Sequence, residues 1–157
     1  MDSYIKELLE LLDKKQQQLY EILRLTKEQA KAINEENIDE LEQFLSKKQT
    51  HIDKIDAIDD DFTRIYSAFR QEYGLTDSDN KEYPQIGGFS ELGSKVSKIA
   101  ELIKDILKLE KSNNSKVKEI MKKYGDNIKN VNQTKKISNA YGNEPIEAQS
   151  YFFDKKK

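Results

Sequence analysis

The chain has 157 residues, room for one domain, and charged and hydrophobic residues each make up 36% of it. Glycine adds only six residues, so the chain cannot build a thick globular core, and only disorder or narrow apolar stripes on long helices remain. There is no cysteine, which removes disulfides, thiolate nucleophiles and cysteine-based zinc sites. Two prolines and six glycines are few for a disordered chain. The longest apolar run is Tyr151-Phe152-Phe153, so a transmembrane span and a signal peptide are not expected. Only three valines and no tryptophan, against abundant Lys, Glu, Leu and Gln, favour helix over sheet.

The net charge of −2 hides an asymmetry. Residues 1–80 hold 11 Lys/Arg against 19 Asp/Glu, and residues 81–157 hold 16 against 10. Halves of −8 and +6 attract each other if they pack side by side.

The first predicted helix spans residues 3–33, with Ser3 as its N-cap. Seven-residue spacing places Ile5, Leu12, Leu19, Thr26 and Ile33 at one seam position and Leu8, Lys15, Ile22 and Gln29 at the other. Leu9, Leu23 and Ala30 widen the stripe beyond a two-stranded seam, as a bundle helix requires.

Asn34-Glu35-Glu36-Asn37 breaks the pattern. Asn37 with Glu40 reads as a helix start whose acidic first turn suits the helix dipole. The second helix then covers 38–73. Its stripe is Ile38, Leu41, Leu45, Lys48, Ile52, Ile55, Asp59, Phe62, Tyr66, Phe69 and Tyr73, and Gly74 stands where a C-terminal cap belongs. Lys48 and Asp59 occupy positions meant for hydrophobes. Three explanations stand: the bundle opens at that level, the two seat register-setting polar contacts, or they hold a groove ajar for another helix.

Residues 74–88 form a polar linker in which Pro84 and Gly87-Gly88 bar a continuous helix. The third helix is expected over 90–131, capped by Ser90. Its stripe is Phe89, Leu92, Val96, Ile99, Ile103, Ile106, Glu110, Asn113, Val117, Ile120, Tyr124, Asn127 and Val131, and it holds phase across Lys111–Ser115, which predicts one long helix. The expected fold is all-α: an elongated antiparallel three-helix coiled-coil bundle over residues 1–131, with a mobile tail over 132–157. The first two helices meet through a few residues and should be antiparallel neighbours. The lysine-rich flanks of the third should lie against the acidic pair.

No constellation supports catalysis, and no cofactor or metal is expected. His51 is the one histidine and flanks the stripe beside Ile52. Asp53, Asp56 and Asp60 share a helix face, which one helix rarely turns into convergent metal ligands. The lysines of the third helix are interleaved with Glu101, Asp105, Glu110 and Glu119, and no arginine follows Arg70. That is a solvated helix face rather than a nucleic-acid surface.

The segment AINEENIDELEQFLSKKQTHIDKIDAIDD, from Ala32 to Asp60, resembles the FlgN family of flagellar export chaperones. These show a long first helix, a break with an acidic leucine repeat, a lysine near mid-helix and an Ile/Asp-rich run. Ile38, Leu41, Leu45, Lys48, Ile52, Ile55 and Asp59 stand at the matching places. The ending SYFFDKKK, Ser150–Lys157, is similar to the tail of members from Gram-positive bacteria, and the FliT family is related. The resemblance implies a cytoplasmic type III export chaperone, monomeric or dimeric, that keeps hook-associated proteins from assembling early and delivers them to the export gate. It further implies client binding by C-terminal residues: Val117, Ile120, Met121, Tyr124, Ile128 and Val131 on the third helix, and Tyr141, Tyr151, Phe152 and Phe153 in the tail. The rival reading is a structural coiled-coil scaffold that oligomerises through the same stripes.

Overall fold

A computed structural model describes residues 2–74 and 86–123. They form three α-helices with no strand among the described residues: α1 Ser3–Asn34, α2 Ile38–Glu72 and α3 Phe89–Lys123. At roughly 1.5 Å per residue each is about 50 Å long. The chain runs up, down and up. Tyr73 at the end of α2 donates to Asp2 before α1, the start of α3 reaches α1 through Lys95–Asp13, and its end through Lys123–Glu36. Thus α2 is antiparallel to both neighbours, and α1 is the helix on which both others pack.

The helix ends follow local chemistry. Asp2, not Ser3, caps α1: its Oδ1 accepts from the amides of Tyr4 (2.7 Å) and Ile5 (3.2 Å). The carboxylate answers both orphan amides and the positive end of the helix dipole, so Ser3 becomes the first helical residue. Asn37 caps α2 as expected, accepting from the amide of Glu40 while its own side chain donates to the Glu40 carboxylate. Gly74 follows α2 at φ +61°, and its amide bonds the carbonyl of Gln71. The expected Ser90 cap is displaced. The chain turns at Gly88, φ +88°, whose carbonyl accepts from Leu92, so α3 starts at Phe89 and Ser90 lies inside its first turn.

The turn between α1 and α2 is tight because α1 closes with paired backbone bonds, Glu36 N to Ile33 O and Asn37 N to Ala32 O. That closure puts Glu36 at φ +54°, a position where glycine is usual. Helix α3 passes unbroken through Lys111–Ser115 to Lys123. Residues 124–131, where the third helix was expected to continue, and the tail 132–157 lie outside the described residues.

The stripes largely hold. Ile5, Leu8, Leu12, Leu19 and Ile22 pack with Ile55, Phe62 and Phe69 and with Leu92, Val96, Ile99, Ile103 and Ile106 in the main core. Leu25 and Ala32, not Leu23 and Ala30, complete the buried side of α1. On α2, Phe44 is buried where Leu45 is only partly so. The spacing 41-44-48 is as good a helical repeat as 41-45-48, and the larger ring takes the interior. Tyr73 closes the stripe but remains exposed.

Candidate binding site

Five polar positions in the α1 and α2 seams, Lys15, Thr26, Gln29, Lys48 and Asp59, resolve into interior polar contacts. Lys15, 2% exposed, bonds Asp59 across 2.8 Å. Burial lowers the Lys15 ammonium despite the attraction of Asp59, and burial raises the Asp59 carboxyl despite Lys15. Lys48, 4% exposed, donates to Gln29 Oε1 at 3.0 Å and pairs with Glu110 of α3, so Glu110 turns inward to the buried ammonium and not to the solvated face expected of it. Burial pushes Lys48 down to about 7, while the adjacent Glu110 carboxylate favours its charged form. Around this pair, Thr26 Oγ1 donates to the carbonyl of Ile22 (2.7 Å), and Asn113 donates to the carbonyl of Thr26 (3.2 Å). Of the three explanations offered by the sequence, register-setting contacts match the geometry: each helix contributes at least one member.

The layer Thr26, Gln29, Lys48, Glu110 and Asn113 lies between two apolar clusters. Beyond it, at the end where α1 turns into α2, Leu25, Ala32, Ile33, Leu41, Phe44, Val117 and Ile120 form a second, smaller core. A groove of about 320 Å³ opens there, lined by Ile33, Asn34, Glu36, Lys116, Glu119, Ile120 and Lys123. Its rim is tied by ion pairing and amides: Lys123 donates to both carboxylate oxygens of Glu36 at 2.9 Å, and Lys116 donates to Asn34 at 3.2 Å. The pairing of Lys95 with Asp13 and of Lys123 with Glu36 is the attraction between basic and acidic halves that the charge split anticipates.

Among the residues expected to bind a client, Val117 and Ile120 are buried in this small core, and Met121 is half-exposed beside it. Tyr124, Ile128, Val131, Tyr141, Tyr151, Phe152 and Phe153 lie outside the described residues. The groove itself was not read from the sequence. Its one legible signal was the run of acidic residues around the turn, which shows charge but not shape. His51 sits at the boundary, with Nδ1 2.6 Å from Gln18 Oε1. Burial, together with the charges of Asp53 and Asp60, raises the Asp56 carboxyl. Among the described residues no three His, Cys, Asp or Glu side chains converge as metal ligands would, and no helix is long and apolar enough to cross a membrane.

No curated protein and no solved structure matches the chain. The family described as FlgN protein matches residues 1–144, a span that covers all three helices and continues past Lys123. FlgN proteins are flagellar export chaperones, not enzymes, and they bind flagellar proteins. The chain belongs to the FlgN family.

Proposed function

We propose that this chain is a cytoplasmic chaperone that binds flagellar hook-associated proteins, prevents their premature assembly and hands them to the type III export gate. The family match over residues 1–144 carries this reading. The architecture supports it: a narrow bundle with three buried stripes and an open groove at the turn end suits the capture of an amphipathic helix, whose apolar face needs an apolar partner surface.

In this reading the client-binding residues are Val117, Ile120, Met121, Tyr124, Ile128 and Val131, together with Tyr141, Tyr151, Phe152 and Phe153. Affinity capture from the source organism tests the reading. Recovery of hook-associated proteins with the full chain, and their loss after truncation at Val131 with thermal stability unchanged, is the expected result. A stable oligomer of fixed size that captures none of them would favour a scaffold instead.

A further inference from the structure

The interior of the bundle is not one continuous core. The main cluster ends near Ile22 on α1 and Ile106 on α3, and the small cluster begins at Leu25 and Val117. Between them the polar layer interrupts apolar packing across all three helices. It is also incompletely satisfied, since Gln29 Nε2 is buried without a hydrogen-bond partner. Apolar packing therefore does not run continuously through this level.

The segment Asn113–Lys123 is lightly fastened beyond the layer. Only Val117 and Ile120 of these residues enter the small core, and the groove opens alongside Ile120 and Ile33. Asn113 donates to the carbonyl of Thr26 at the layer, and past it Lys116–Asn34 and Lys123–Glu36 tie the segment at the exposed rim. Beneath the segment, α1 and α2 form a seat with Leu25, Ile33, Leu41 and Phe44 as its apolar floor. The stretch of chain that turns from α1 into α2 is acidic: no Lys or Arg falls between Lys31 and Lys47, where five Asp and Glu do, and Glu36 among them pairs with Lys123. The segment lying in the seat is basic, with five lysines and one glutamate over residues 111–123. Charge and apolar spacing thus define what the seat accepts.

We propose that the last three turns of α3 are an internal stand-in for a client helix: this end of the bundle opens at the polar layer, and the α1–α2 seat then takes a basic amphipathic helix with apolar residues at i and i+3. The proposal rests on the chaperone reading and specifies the partner's chemistry and the place it enters. An entering helix takes the seat that Val117 and Ile120 fill in the resting bundle, which releases those two side chains to contact the client from α3.

Two measurements on the full chain test this. Native-state amide exchange without any client should show amides of residues 114–121 exchanging at least tenfold faster than those of 99–106. The gap should shrink several-fold in the triple variant Gln29→Leu, Lys48→Met, Glu110→Leu, which joins the two apolar clusters; simple end fraying would leave it unchanged. A fluorescein-labelled peptide of residues 111–123 should bind the full chain saturably. Its Val117→Asp, Ile120→Asp form should bind the unaltered protein at least tenfold more weakly, a comparison that does not depend on the triple variant folding. Equal protection along α3, a gap unaffected by joining the clusters, or equal binding of both peptides would overturn the proposal. Each of those results leaves the capture of hook-associated proteins to stand or fall separately.

Discussion

Lys48 on α2 and Glu110 on α3 form a buried ion pair, with Gln29 of α1 accepting a second bond from the same ammonium at 3.0 Å. One side chain from each helix therefore meets at a single level of the bundle. Sliding any helix by a turn would bury these groups against hydrophobes, so the contact selects one register out of several that the apolar stripes alone would allow.

That arrangement predicts strongly non-additive energetics. Glu110→Ala leaves the Lys48 ammonium buried without its carboxylate partner and should cost about 3–5 kcal/mol. Lys48→Met combined with Glu110→Leu removes both charges and should recover most of that loss. Urea denaturation of the single and double variants checks this. A double variant as unstable as the sum of its singles would show that the two residues are not coupled.

The pH dependence follows from Lys48. Its ammonium titrates at about 7 in the fold and near 10.5 in the unfolded chain. Between those values the unfolded chain holds the proton that the folded chain has lost, so the Lys48 contribution makes stability rise with pH across that window. The stability of the natural chain minus that of Lys48→Met should therefore grow from pH 7 to pH 10 in denaturant titrations. A difference that stays level would mean that Glu110 holds the ammonium charged throughout.

The aromatic end of the bundle should be the costliest to empty. Phe69 is fully buried and packs against Tyr4, Tyr66, Tyr73 and Phe89, with ring centroids 5.0–6.4 Å apart. Phe69→Ala should cost about 3–5 kcal/mol, and Ile55→Ala or Phe62→Ala roughly 2–5 kcal/mol. A loss under about 1 kcal/mol at any of the three would contradict the burial of the α2 stripe.

Capping gives a local test. Asp2→Ala should destabilise by about 1 kcal/mol through the lost bonds to Tyr4 and Ile5. Ser3→Ala and Ser90→Ala should each change stability by less than about 0.5 kcal/mol, because both lie past the caps. Thermal melts of the three variants separate this assignment from one in which the serines cap their helices.

The positions of the polar layer were legible in the sequence. Gln29, Lys48, Glu110 and Asn113 each interrupt a stripe, and Lys15 and Asp59 do the same roughly three to four turns away. Their partnerships were not legible. A heptad repeat fixes which face of a helix is buried but not how far each helix slides along its neighbour, and that offset is what brings Lys48 to Gln29 and Lys15 to Asp59. The caps failed for a related reason. Asp2 and Ser3 are both good N-cap residues, and only the hydrogen bonds of Asp2 to Tyr4 and Ile5 choose between them. The groove at Ile33 and Ile120 depends on how three helix ends diverge, which no residue spacing records. Resemblance over Ala32–Asp60 pointed to the correct family because that segment contains both the turn and the interrupted stripe.

The chaperone account is tested most directly by mixing the purified full chain with a purified hook-associated protein from the same genome and measuring mass by size exclusion with light scattering. The account predicts a defined complex with the intact client and none with a client lacking its terminal amphipathic helix. No complex with any hook-associated protein, from a chain that is folded and carries residues 124–157, would contradict it.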